Sequence, residues 1–180
     1  DPSGNSSSNS FTVTVLDTIA PVFTSGVSGI NIVPNPNSCD AVVTWNSPTA
    51  SDNCSAVSYT FSQASGSVFP VGSTTVTVTA TDADGNNRSS NFNVVVTDQL
   101  APTISNVPAN LTVSNDAGSC DAVVSYATPT VTDNCAGATI ATSHASGSTF
   151  PVGTTLVTFT ATDAAGNISN ASFEITVEDQ

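Results

Sequence analysis

Six aspartates in this chain are spaced for oxygen chemistry. Asp17, Asp52 and Asp82 recur as Asp98, Asp133 and Asp163, each partner standing 81 residues after the first. A hard divalent cation such as Ca²⁺ takes six to eight oxygens from carboxylates, Asn side chains and carbonyls. Ca²⁺ at domain junctions is therefore the one cofactor this pattern would take. The competing role is turn chemistry, since Asp and Asn hydrogen-bond their own backbone in loops. Asp82-Ala83-Asp84-Gly85-Asn86 also lacks the twelve-residue spacing and closing Glu of an EF-hand. The second chemistry belongs to the four cysteines, Cys39 with Cys54 and Cys120 with Cys135, each pair 15 residues apart. In an acidic, Lys-free chain of secreted character the spacing predicts one disulfide within each copy. Each would close a loop worth about 3 kcal/mol in the chain-entropy model. A zinc site needs four N or S ligands, and each pair offers two thiols with no histidine between them.

Catalysis has little to stand on. His144 is the only histidine, and Ser62-Gln63-Ala64 stands where the other copy has Ser143-His144-Ala145. No nucleophile-elbow motif surrounds any serine. A carboxylate pair for glycoside cleavage, Asp82 with Asp84, is broken in the second copy, where Ala165 replaces Asp84. The chain reads as non-enzymatic. Asn-x-Ser/Thr sequons at Asn5, Asn53, Asn87, Asn110, Asn167 and Asn170 mark acceptors for attached glycans. Lys plus Arg is 1 against Asp plus Glu 14, a net charge of −13, which repels nucleic acid and anionic membrane surfaces. No hydrophobic run approaches the ~20 residues of a membrane-spanning helix, so membrane insertion is not expected.

The elements that must position these residues are strands. Phe69–Gln99 reads FPVGSTTVTVTATDADGNNRSSNFNVVVTDQ and returns at Phe150–Gln180 as FPVGTTLVTFTATDAAGNISNASFEITVEDQ. Val76, Val78 and Ala80 alternate with threonines, Phe92, Val94 and Val96 alternate with their neighbours, and Asp84-Gly85-Asn86 supplies a tight turn. That is a β-hairpin with one buried face per arm. Phe69-Pro70-Val71-Gly72 reads as the corner before it. Short strands are expected near Val22–Phe23, Gly29–Val33, Cys39–Trp45 and Val57–Phe61, with Pro34, Pro36 and Pro108 placing the early ones at a sheet edge. This makes six or seven strands per copy, an all-β two-sheet sandwich. An ungapped period of 81 residues fits a whole domain, giving copies at 18–98 and 99–180. Residues 1–17, with Phe11-Thr12-Val13-Thr14-Val15 matching Phe92–Val96, read as the last strand of a preceding copy. Asp17-Thr18-Ile19-Ala20-Pro21 and Asp98-Gln99-Leu100-Ala101-Pro102 form short, stiff linkers, so neighbouring copies are expected to stack end to end.

The run Cys39-Asp40-Ala41-Val42-Val43-Thr44-Trp45, then Pro48, then Asp52-Asn53-Cys54, followed by Gly66-Ser67-Val68-Phe69-Pro70-Val71-Gly72 and Ala80-Thr81-Asp82, resembles the HYR (hyalin repeat) module. Both copies and the leading segment carry it. The resemblance implies tandem immunoglobulin-like β-sandwiches related to fibronectin type III domains, in an extracellular or cell-surface protein with adhesive or scaffold work and no catalysis. The fuller family pattern often carries a second cysteine pair. Here those places read Ile104-Ser105-Asn106-Val107-Pro108 and Ser169-Asn170-Ala171-Ser172-Phe173, which implies an edge strand held by packing alone. The function expected is a non-catalytic structural or adhesive array, a segment of a stalk or fibre whose partners are neighbouring copies of the repeat or the chain. The alternative is an accessory sugar- or protein-binding module of a secreted enzyme, although Trp45 and Tyr126 are expected to face the core rather than a sugar.

Overall fold

The computed structural model describes residues 2–180. Asp1, matched in sequence to Asp82, lies outside the described residues. The first copy contributes β1 (Val22–Ser25), β2 (Ile30–Ile32), β3 (Asp40–Val43), β4 (Thr49–Ser51), β5 (Ser58–Phe61), β6 (Ser67–Pro70), β7 (Gly72–Thr81) and β8 (Asn87–Val96). The second repeats them as β9 (Thr103–Ser105), β10 (Leu111–Ser114), β11 (Asp121–Val124), β12 (Thr130–Thr132), β13 (Thr139–Thr142), β14 (Ser148–Pro151), β15 (Gly153–Thr162) and β16 (Ile168–Glu178). No helix interrupts them among the described residues. The chain is all-β, built as tandem immunoglobulin-like sandwiches. Each copy has eight strands rather than six or seven. The additions are β4 and the end of the corner, where Ala41 pairs with Phe69 and Asp40 with Pro70.

Alternation decides what is buried. Along β15 and β16, Val157 lies opposite Phe173 and Thr155 opposite Ile175, while Leu156 opposite Glu174 faces outward. The inward set, Val157, Phe159, Phe173, Ile175 and Val177, packs with Ala122 and Val124 of β11 and Phe150 of β14 in one cluster. The period of two thus places every second side chain of the hairpin against the opposite layer. Their counterparts in the first copy, Val76, Val78, Phe92, Val94, Val96, Ala41, Val43 and Phe69, are buried as well. Tyr126 covers the edge of this core with its ring 5.0 Å from Phe173, and Trp45 lies 5.2 Å from Phe92, both in edge-on geometry. Gly85 and Gly166 turn the two hairpins at φ of +93° and +91°, a region that L residues with a Cβ avoid.

The four-stranded sheets run β2-β8-β7-β5 and β10-β16-β15-β13. Their edge strands β2 and β10 are parallel to the last strand, with Ile30 beside Val94 and Leu111 beside Ile175. A second cysteine pair is thus replaced by backbone bonding as well as packing: β10 is laddered to β16 over four residues, and β9 to β12 over three.

The molecule divides into two units. The first takes in the chain up to Gly29 with Thr44–Ser65 and Thr75–Asn93; the second takes in Ile30–Val43, Gly66–Thr74 and Val94–Gln180. Ahead of β1, the stretch that matches Phe92–Val96 forms no strand. Phe11, Val13 and Val15 are exposed by 88, 72 and 90 %, whereas Phe92, Val94 and Val96 are buried. The segment has the alternation of a closing strand but is paired with no sheet, and a strand exists only through its partner's hydrogen bonds.

Phe150 is fully buried, so Phe150→Ala should lower the unfolding free energy by about 3–5 kcal/mol. Urea unfolding followed by tyrosine fluorescence measures it, and a loss below about 1 kcal/mol would contradict the packing described.

Candidate functional site

The recurring aspartates sit in turns: Asp82 and Asp163 directly after β7 and β15, Asp98 just after β8, Asp52 and Asp133 after the short β4 and β12, and Asp17 ahead of β1. In the first unit, carboxylate oxygens of Asp17, Asp52 and Asp82 lie within 4.8 Å of one another. In the second, Asp98 and Asp133 meet in the same way, with the sulfur of Cys135 as the third atom. Asp163 is not a member of that second group. It is buried, and Asn167 connects it to Asp98 by donating from Nδ2 to Asp163 Oδ2 at 2.8 Å and to the Asp98 carbonyl at 3.3 Å. Asn86 does the same work in the first unit, reaching Asp82 Oδ2 at 2.8 Å and the Asp17 carbonyl at 3.0 Å. Asn86 escaped the sequence reading as a site residue, and Asn167 entered it only as a glycan acceptor. Their signal was present in the Gly-Asn pair that follows Asp82 and Asp163 in both copies.

One oxygen of each junctional aspartate serves its own turn. Asp17 Oδ1 accepts from Ile19 N at 3.0 Å, Asp98 Oδ1 from Leu100 N at 3.1 Å, Asp52 Oδ2 from Cys54 N at 3.0 Å and Asp133 Oδ2 from Cys135 N at 3.0 Å. The opposite oxygen of each, Asp17 Oδ2, Asp98 Oδ2, Asp52 Oδ1 and Asp133 Oδ1, is buried without a hydrogen-bond partner, as is Asn134 Oδ1. Asp82 and Asp163 differ in having both oxygens engaged. Burial works against their charge, yet the side chain and amide of Asn86, with the amides of Gly85 and Asp84, hold the Asp82 carboxyl below the ordinary value. Asn167, Gly166 and Ala165 do the same for Asp163.

The cysteines correct the sequence expectation. Cys39 is bonded to Cys135, with Cα atoms 4.7 Å apart across a sequence separation of 96, and Cys54 and Cys120 are free and exposed. The expected bridges Cys39–Cys54 and Cys120–Cys135 are absent. The reason lies in β3, which carries the chain roughly 13 Å from Cys39. β4 then pairs with β1 instead of folding back on β3, so Cys54 ends beside Asp17 and Asp52 in the other unit. Cys39 is fixed by Val71 N donating to its carbonyl, and Asn134 Nδ2 donates to the adjoining Ser38 carbonyl at 3.1 Å. Closing 96 residues stabilises by about 4–5 kcal/mol, more than the 15-residue loop would. Partial desolvation, then the charge and hydrogen bond of Asp17, with Asp52 and Asp84 adding, push the Cys54 thiol above its ordinary value.

The remaining candidates fall outside this arrangement. His144 packs its ring 5.5 Å from Phe150, its Nδ1 meets the hydroxyl of adjacent Ser143, and its carbonyl accepts from the Tyr126 hydroxyl. Among the sequons, Asn5, Asn53, Asn87, Asn110 and Asn170 are exposed, while Asn167 is half-buried with its Nδ2 on three oxygens. A groove of about 340 Å³ beside the bridge is lined by Pro36, Asn37, Leu100, Ala101, Asp133 and Asn134 among others, none of them aromatic.

Tandem β-sandwiches with acidic turns at each repeat boundary define an all-β tandem-repeat protein. A family model described as the HYR domain matches residues 16–96 and again 97–177. The chain belongs to the HYR domain family. It is 35% identical over 98% of its length to hyalin of Strongylocentrotus purpuratus and 34% identical over its whole length to hyalin of Lytechinus variegatus. It spans 15% and 35% of those proteins' lengths. Over 54% of the chain it is 33% identical to the serine-rich adhesin for platelets of Staphylococcus aureus, covering 8% of that protein. No catalytic family is indicated by these matches.

Two outcomes follow from the geometry. Alkylation of the native chain should mark Cys54 and Cys120 alone, with Cys39 and Cys135 reached only after reduction; peptide mass spectrometry reads the sites, and labelling of Cys39 without reductant would refute the bridge. Because the folded carboxyl of Asp163 titrates below its unfolded value of 3.8, its contribution is complete above that value and is lost as pH falls from it through the lower folded value. In EDTA-containing buffer, Asp163→Asn should therefore flatten the decline in melting temperature between about pH 5 and pH 2. An unchanged slope would remove Asp163 from the acid response.

Proposed function

We propose that this chain is a segment of an extracellular structural or adhesive array, a stalk or fibre in which HYR copies, here 18–98 and 99–180, follow one another and are stapled copy to copy. The observation that carries this is the bond between Cys39, the first cysteine of one copy, and Cys135, the second cysteine of the next. By the 81-residue register Cys120 is equivalent to Cys39 and Cys54 to Cys135, and both are free and exposed. In an array, Cys120 pairs with the second cysteine of a following copy and Cys54 with the first cysteine of a preceding one. Each bond takes two electrons and two protons from a thiol pair, with a low-molecular-weight disulfide as the acceptor. The high acidity keeps such arrays from clumping. Neighbouring copies, of the same chain or of another, are the partners, and exposed asparagines such as Asn5 and Asn110 are where glycans would sit.

Peptide mapping of the native full-length protein without reductant tests the staple, and electron microscopy of the same material tests the shape. The expected result is copy-to-copy cystine peptides throughout, in elongated particles whose length grows with copy number. Bridges confined within copies, or isolated compact particles, would overturn the reading.

A further inference from the structure

We propose that residues 6–16 are a docking strand, and that the surface they fit is an HYR-like sandwich with its closing-strand slot open, placed directly ahead of the turn at Pro2-Ser3-Gly4 on the same polypeptide. Phe11, Val13 and Val15 stand in solvent in an alternating row outside any sheet, while their equivalents in both copies, Phe92, Val94 and Val96 and then Phe173, Ile175 and Val177, are buried. From Ser3 to Leu16 there is no charged residue and no proline. Exposed strands are normally guarded against pairing by Lys, Pro or inward-pointing charges, and this one carries none of those guards.

The second copy shows what such a row fills. Its closing strand β16 lies inside the sheet order β10-β16-β15-β13, parallel to β10 on one side and antiparallel to β15 on the other. A copy without that strand keeps an apolar trough, lined by residues such as Ala122, Val124, Phe150, Val157 and Phe159, between two strand edges whose N–H and C=O groups need partners. Phe11, Val13 and Val15 have the spacing to fill the trough, and the outer face matches too. Thr160 bonds Asn170 and Thr154 bonds Thr176 across β15 and β16, and Thr79 bonds Ser89 across the first hairpin. By the 81-residue register the segment offers Ser8 and Thr14 at those places. The turn selects the source of the slot. Gly4 has φ +83°, beside +93° at Gly85 and +91° at Gly166, so the hairpin's turn is already shaped although the arm that follows it is unpaired. A tight turn lays its two arms side by side, so the partner strand enters from directly before it rather than from a distant molecule.

This inference rests on the reading of copies in succession but not on the staple between them, since its test follows one strand and no cysteine. Hydrogen-exchange mass spectrometry on the native full-length protein and on the 180-residue chain supplies that test. In the full-length protein the peptide spanning residues 11–16 should exchange at least about 100-fold more slowly than in the 180-residue chain, and as slowly as the one spanning residues 92–97. Placing residues 99–162 in register ahead of the whole chain, as a copy without its closing strand, should restore that protection. Val13→Asp in the extended chain should abolish it and leave residues 92–97 protected; in the 180-residue chain the same substitution should leave the melting temperature unchanged. Equal, rapid exchange of residues 11–16 in full-length protein and chain would overturn the docking strand. Protection that appears in the 180-residue chain as its concentration is raised would overturn the seat on the same polypeptide and assign the strand to another molecule.

Discussion

Burial of one face of a ten-residue hairpin governs this molecule. Strands of that length with strict alternation present five or so side chains inward, each worth roughly 1.5–3 kcal/mol when a Val, Ile or Phe is withdrawn from water. In the second copy β15 and β16 set the plane against which β11 and β14 are laid. Their outer face carries threonines and asparagines that bond across the strands, Thr160 to Asn170 and Thr154 to Thr176. The turn between the strands holds Asp163 through Asn167, and the strand's beginning abuts Cys120 through Val152. Chemistry collects at the hairpin's two ends because its middle is occupied with packing.

The turns themselves are dual-purpose. An aspartate that caps its own loop is held in one rotamer, which fixes the direction of the oxygen it does not use. Repeating that arrangement at Asp17 and Asp98, and at Asp52 and Asp133, concentrates negative charge where the linkers leave the sheets. With so few basic side chains, the chain has no internal means to neutralise it. Its electrostatics therefore look outward, to solvent ions.

Much of this was legible in the chain. Alternation and the Asp-Gly-Asn turn place β7 and β8, and the 81-residue period transfers the reading to β15 and β16. Trp45 and Tyr126 face the core as their surroundings imply. Four features were not legible. The parallel pairing of β2 with β8 depends on a long-range return that no local pattern encodes. Phe11–Val15 has the sequence of a strand, but alternation describes a face and says nothing of whether an edge awaits it. The disulfide was misassigned for a sharper reason. In a strict repeat, the second cysteine of a copy and that of the next copy have the same local sequence, so Cys54 and Cys135 are equivalent candidates for Cys39. Only the path of β3 and β4 tells them apart. The two copies also look alike at Asp82 and Asp163, yet only Asp82 joins its cluster directly, a difference of side-chain placement that spacing does not carry.

The bond from Cys39 to Cys135 short-circuits the polypeptide. Tension applied to the two chain ends would travel through sulfur and skip the 96-residue loop, whose unravelled length would be roughly 300 Å. Strands inside that loop could detach without the molecule gaining that extension. Its stretched length is thus set by the redox state of one bond: inextensible slack while oxidised, a long compliant tether once reduced.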